Sequence, residues 1–210
     1  MTQVAGRSHD RIARRQVDKF ADRRAQLAAS TLQTLSDLGY ARTSLREIAQ
    51  NSEFSHGVLH YYFRDKVDLI TYSVRQYKAE CVTRYDEIVE TASSTDELRL
   101  GFGAAMADTL LHEGPLHKLW YDLRNQSLFE ESFRDDVVEI DQNLERMIWN
   151  VVSRYAELAG TPCTVSPATA YAIFDGVFQR ALFKHVAGDP AAPGDLRSNV
   201  EQLLERFVAA

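Results

Sequence analysis

Apolar residues recur at steps of three and four along most of the chain, and the strict alternation of a half-buried strand is scarce. The pattern therefore predicts helices nearly throughout. Residues 1–10 read as a flexible arm. A helix is predicted over 11–38, charged at first and then amphipathic, with Leu27, Thr31, Leu35 and Leu38 on one stripe. Gly39 is its expected stop, because glycine takes the left-handed conformation cheaply. Ser44 and Glu47 have the spacing of a capping box and open a short helix over 44–51. A tight turn at Ser52-Glu53-Phe54 follows, and Ser55 caps a second short helix over 55–62. A fourth helix starts near Lys66. Its stripe of Ile70, Val74, Tyr77, Cys81, Tyr85 and Ile88 makes it long enough to link two domains, and Ser93-Ser94-Thr95 ends it. Five more helices are predicted over 96–113, 116–128, 132–159, 167–187 and 195–209. Gly114-Pro115, Gly160-Thr161-Pro162 and Gly188-Asp189-Pro190 separate most of them.

Composition narrows the class. The 210 residues are 45% hydrophobic and 26% charged with five prolines, an ordinary globular balance. No apolar run approaches the about 18 residues of a membrane span, and the N-terminus lacks the apolar core of a signal peptide. Cys81 and Cys163 form no metal or redox pair, which fits a reducing cytoplasm. The net charge of −6 is unevenly spread. Residues 1–68 carry eleven Lys/Arg against eight Asp/Glu, and 69–210 carry thirteen against twenty-two. A basic front and an acidic body suit a chain that meets a polyanion at one end only.

Two short helices joined by a tight turn behind a longer packing helix have the shape of a helix-turn-helix. Ile48 and Ala49 face inward, Phe54 plugs the turn, and Leu59 and Phe63 face inward from the second helix. That leaves His56, Gly57, Val58, His60, Tyr61 and Tyr62 outward. Gly57 lets the backbone approach a major-groove floor, Val58 suits a thymine methyl and His56 suits base edges. His60, Tyr61, Tyr62 and Lys66 suit phosphates, and Arg46 reaches a guanine or a phosphate. His56 and His60 also have metal-ligand spacing, but no third ligand lies near in sequence, so no metal is assigned. The basic residues Arg7, Arg11, Arg14, Arg15, Lys19, Arg23 and Arg24 either track a minor groove or form a solvated face.

The run Gly39-Tyr40, Thr43-Ser44, Arg46-Glu47-Ile48-Ala49, Ser55-x-Gly57-x-Leu59 and Tyr62-Phe63-x-x-Lys66-x-x-Leu69 resembles the TetR family of bacterial regulators, in particular its BetI-like branch. The close match covers about residues 24–70. The resemblance implies a homodimer on a palindromic double-stranded DNA operator, released by a small-molecule effector. It implies base-edge roles for Arg46, His56, Gly57 and Val58, and phosphate roles for Ser44, His60, Tyr62 and Lys66. The chain departs from the family at the turn, where Ala-Gly-Val is usual, and at His60, where tyrosine is usual. A non-glycine residue in a left-handed turn costs on the order of 1 kcal/mol, so a reshaped turn is expected. A histidine at a phosphate makes the bond pH-dependent.

The expected fold is therefore all-α: a helix-turn-helix domain over 11–68 and a ligand-binding and dimerisation domain over 69–210. DNA contacts are assigned to Ser44, Arg46, Ser55, His56, Gly57, Val58, His60, Tyr61, Tyr62 and Lys66. An apolar ligand cavity is assigned to Phe102, Met106, Trp120, Tyr121, Arg124, Trp149, Phe174 and Phe178, each of which is alternatively plain core. Arg124, if inward, favours an acidic ligand. Over 171–183 two apolar stripes, Phe174-Phe178-Leu182 and Ile173-Val177-Ala181, need two partners: the chain's own core and the same helix of a second copy. The last helix adds Val200, Leu203, Leu204, Phe207 and Val208. No nucleophile–base pair, phosphate loop or cofactor motif points to an enzyme. The competing reading is the same fold acting as a protein-interaction or small-molecule-binding module without DNA binding, favoured by the unusual turn.

Overall fold

The computed structural model describes the backbone of residues 3–209 and the side chains of 18–209 apart from Gln33. Regular structure among them is helical, with one isolated antiparallel bridge between Cys163 and Val208. The chain divides into two compact units, Met1–Tyr77 and Lys78–Ala210.

The first unit opens with α1 (Gln3–Arg42). Of the expected arm, Met1 and Thr2 lie outside the described residues, and 3–10 are helical. Leu27, Ala28, Thr31 and Leu35 are fully buried on one stripe of α1. Gly39 breaks the helix with φ 76°, the left-handed region where a Cβ is penalised. Then come α2 (Leu45–Gln50) and α3 (His56–Tyr62), each started by a serine whose hydroxyl accepts a backbone N–H: Ser44 from Glu47 and Ser55 from Val58. The turn between them contains no residue with positive φ, and Phe54 N donates to Ser52 Oγ at 3.3 Å. The left-handed penalty is thus not incurred. Phe54, Leu59 and Phe63 close the core beneath it.

Helix α4 (Lys66–Cys81) is shorter than its stripe suggests. Ile70, Val74, Tyr77, Cys81 and Tyr85 are all buried, yet the helix ends at Cys81 and α5 (Asp86–Thr91) begins after a turn. In that turn Arg84 N bonds to Cys81 O and Asp86 N to Thr83 O, both at 3.1 Å, in place of bonds to the fourth residue back. The Arg84 side chain leaves toward Glu113, 2.6 Å from its Oε1, and Thr109, 3.0 Å away.

The second unit is a helical bundle of α5, α6 (Thr95–Gln126), α7 (Arg134–Ala159, after a 3-10 turn at Glu131–Phe133), α8 (Pro167–Val186) and α9 (Ala192–Arg206). The predicted break at Gly114-Pro115 does not occur, since α6 runs through it. Leu111 and Pro115 are both exposed, so the carbonyl that proline leaves without its amide partner faces water, and the helix survives. Helix α9 packs along α6. Tyr85, Phe102, Phe174 and Phe207 meet edge to face in a chain, with centroids 4.8, 5.5 and 5.4 Å apart. On α8, Phe174, Phe178 and Leu182 are buried in the unit's own core, whereas Ile173 and Val177 are half-exposed. Phe183 and Val186 stand out at 77% and 64% exposure.

Gly103 sets the approach of α6 to α9. A Cβ there would lie 2.9 Å from Glu201 Cγ and 3.2 Å from the Arg197 carbonyl oxygen. In an open helix Gly→Ala stabilises by about 1 kcal/mol, but overpacking costs about 1–3 kcal/mol. Gly103→Ala is therefore expected to lower the melting temperature, while Gly101→Ala, which meets only a side-chain methyl of Ile88 at 3.3 Å, is much milder. Thermal unfolding of the two variants measures the difference.

Candidate nucleic-acid interface and interior cavity

The outer side of α2 and α3 holds the residues assigned to DNA. Arg46, Ser55, His56, Gly57 and His60 are exposed, and Tyr61 is 72% exposed. Ser44, Val58, Tyr62 and Lys66 are half-buried. A Cβ on Gly57 would meet nothing within 4 Å, so the space before this turn of α3 is open. His56 and His60 stack edge to face with centroids 4.4 Å apart. Three assigned residues have internal duties as well. Lys66 Nζ donates to the Tyr40 carbonyl at 3.0 Å and lies over the Tyr40 ring, and the Ser44 and Ser55 hydroxyls are helix caps. Phe20 on α1, not singled out in the sequence, braces the display by packing 4.8 Å from Tyr62 and 6.1 Å from Tyr61.

The inner side is fixed by a cation. Arg24 binds Asp68 at 2.6 Å, and its guanidinium lies over the rings of Phe63 and Tyr72, 4.8 and 4.3 Å from their centroids. Arg23 covers Phe54 in the same way at 4.7 Å. These two members of the basic stretch therefore serve the core of the unit. Lys19 is exposed, and the side chains of Arg7, Arg11, Arg14 and Arg15 lie outside the described residues.

The second unit encloses a cavity of about 440 Å³, its opening to solvent included. Met106, Trp120, Tyr121, Phe174 and Phe178 line it, together with Lys78, Tyr85, His117, Tyr171, Asp175 and the aliphatic face of α7. Three assigned residues stand off its wall. Phe102 is fully buried behind Phe174, Trp149 is half-buried on α7, and Arg124 is held behind Tyr121. Arg124 bonds Asp175 at 2.6 Å and Asp141 at 3.3 Å. Tyr121 donates to Asp175 at 2.9 Å and Tyr171 to Asp141 at 2.7 Å. Burial and the neighbouring carboxylates hold both tyrosine hydroxyls well above their ordinary range.

Lys78, at the end of α4, is 2% exposed. Its Nζ is 3.4 Å from His117 Nδ1 and 5.3 Å from the Trp120 ring centroid. Burial brings its pKa down to about 8. Burial, then the nearby Lys78 and Arg84 cations, hold His117 well below its usual range, so its ring is neutral and Nδ1 accepts from the ammonium. Lys78, His117 and Asp175 carry no periodic signal, since a charged residue in a helix reads as surface.

Residues 27–72 match the family described as "Bacterial regulatory proteins, tetR family". Across 80% of the chain and 84% of the relative, the sequence is 29% identical to the HTH-type transcriptional regulator BetI of Paraburkholderia phymatum. The fold is similar to that of a transcriptional regulator from Saccharomonospora viridis solved in complex with choline, with TM-score 0.73 and 13% identity over 90% of this chain and 99% of that one. It is also similar to FadR from Bacillus subtilis solved in complex with stearoyl-CoA, with TM-score 0.65 and 14% identity over 85% and 96%.

Lys78 gives stability a pH signature. Its folded pKa of about 8 lies below the unfolded 10.5. Below about pH 8 both states are protonated and the fold bears the full cost of burial. Above it the folded state sheds the proton first, so stability rises with pH. Burial pushes Tyr85 up to about 12, and its folded state keeps a proton that the unfolded chain loses above about 10, which reverses the trend. Stability should climb between about pH 8 and 10. Lys78→Met should remove that climb and raise stability at neutral pH, by up to roughly 3 kcal/mol. Urea unfolding of both proteins across this range is the measurement.

Proposed function

We propose that the chain is a member of the tetR family of bacterial regulatory proteins, a homodimeric repressor, acting in the cytoplasm, that leaves a palindromic operator when a small molecule enters the cavity of its second unit. The observation that carries this is the face of α3. His56, Gly57, His60 and Tyr61 point to solvent from a helix whose inner residues Leu59 and Phe63 are buried. A helix presented in this way enters the major groove, with Arg46, His56, Gly57 and Val58 toward base edges. Ser44, Ser55, His60, Tyr61, Tyr62 and Lys66 lie toward phosphates. The competing protein-interaction reading rested on the turn, and the turn closes without a strained residue.

A second copy answers the exposed apolar face of α8. Phe183 and Gly176, seven residues apart, share that face, and Val186 continues it. A two-fold axis there matches the symmetry of a palindrome. The relatives solved with choline and stearoyl-CoA support a small molecule as the effector. Helix α4 is the connecting element. Its earlier turns bury Leu69, Ile70 and Val74 in the first unit, and its last turn brings Lys78 to the cavity wall. A ligand that favours one setting of α4 shifts the population toward it.

Selection of bound duplexes from a genomic library, followed by affinity at two salt concentrations, tests the reading. A palindrome whose affinity falls steeply with salt is expected, and no enrichment from ligand-stripped dimer overturns it. Gly57→Leu should leave the melting temperature nearly unchanged, because the site is open, yet cost at least about tenfold in operator affinity by blocking the groove approach. Phe183→Asp should give monomers by sedimentation and weaken operator binding by a similar factor or more, while circular dichroism stays helical.

A further inference from the structure

The cavity's acceptors are already engaged. Asp175 takes the Tyr121 hydroxyl on Oδ1 at 2.9 Å and Arg124 on Oδ2 at 2.6 Å. Asp141 behind it takes Tyr171 at 2.7 Å and Arg124 at 3.3 Å. The wall also carries two donors, of which Lys78 already reaches His117 Nδ1 at 3.4 Å. Lys78 is an ammonium, which only donates. The Trp120 indole N–H is buried and has no acceptor among the described residues. The two belong together, since the Lys78 Nζ lies over the Trp120 ring, 5.3 Å from its centroid. That ring face is where a cationic ligand gains most from an aromatic wall, and the chain's own cation occupies it.

We propose that the effector is a small apolar molecule bearing one carboxylate, which takes Lys78 as counter-ion and supplies the acceptor for the Trp120 N–H, and that quaternary ammonium ions are excluded. Met106, Leu144, Ile148, Phe174 and Phe178 give the apolar body its seat. The charges around Lys78 are consistent with this. His117 and Glu113 face it from α6, Cys81 and Arg84 from its own end of the chain, and Asp175 from α8. Their combined effect leaves burial dominant, so a further negative charge beside Lys78 is favourable. The proposal rests on the cavity being the effector site, and binding and DNA release are therefore read separately.

Calorimetry and thermal shift with benzoate, phenylacetate and hexanoate, their neutral amides, choline and tetramethylammonium provide the test. At least one carboxylate should bind, about tenfold or more tighter than its amide, and neither ammonium ion should stabilise the protein. Carboxylate affinity should fall about tenfold between about pH 7 and pH 9, as Lys78 loses its proton. Lys78→Met should abolish the preference for carboxylate over amide. The pH profile of the unsubstituted protein gives the same answer should that variant misfold. The proposal is overturned by choline binding the unsubstituted protein, by carboxylate binding that is indifferent to both pH and Lys78→Met, or by none of the three carboxylates binding. A carboxylate that binds through Lys78 but leaves the selected duplex bound upholds the ligand class and refutes the effector reading instead.

Discussion

A helix of seven residues has too few internal hydrogen bonds to persist in water alone, so what α3 displays is fixed by what holds its inner side. That hold is centred on Arg24. The guanidinium is stacked on Phe63 and Tyr72 and paired with Asp68. Asp68 in turn accepts the Arg64 backbone N–H at 3.1 Å, just beyond the end of α3. Leu59 lies fully buried one turn earlier. Exposed ion pairs contribute little to stability, but this one is half-buried, stacked on two rings and tied to backbone. It joins α1, the end of α3 and the start of α4 into one body. Charges in the basic front thus have a division of labour: Arg23 and Arg24 build the platform, while Arg46 is left on the outside.

The second unit uses polar groups differently. Arg124, Asp141, Asp175, Tyr121 and Tyr171 form a network from three helices, α6, α7 and α8. Such networks are favourable when their members find partners and costly otherwise. The network gives both carboxylates partners from the protein itself. Lys78 and Trp120 line the same cavity. Arg124 acts on the site from behind the wall.

Much of this was readable from spacing. The stop at Gly39, the two serine caps and the inward set Ile48, Phe54, Leu59 and Phe63 follow from local rules that tertiary contacts did not override. The interruption after Cys81 was not readable, because Val82-Thr83-Arg84-Tyr85 contains neither glycine nor proline and its apolar stripe continues in phase. What ends the helix there includes a long-range pull, Arg84 toward Glu113. Gly114-Pro115 misled in the opposite direction, since a proline on the exposed side of a helix, its freed carbonyl open to water, need not end it. In the cavity, Met106, Trp120, Tyr121, Phe174 and Phe178 were visible as apolar residues of interior helices. Lys78 and Asp175 were not, because nothing in a linear sequence distinguishes an enclosed charge from a solvated one.

Pro115 has a consequence for the motion of that wall. It removes one rung from the hydrogen-bond ladder of α6 two residues before His117 and five before Trp120. The helix on either side is rigid, but the joint between its halves is held by fewer bonds and is wet on its outer side. Any bend of α6 at this joint would carry Trp120 and Tyr121 together. The turn that carries Trp120 and Tyr121 is thus joined to the first half of α6 by one backbone bond fewer than an unbroken ladder would supply.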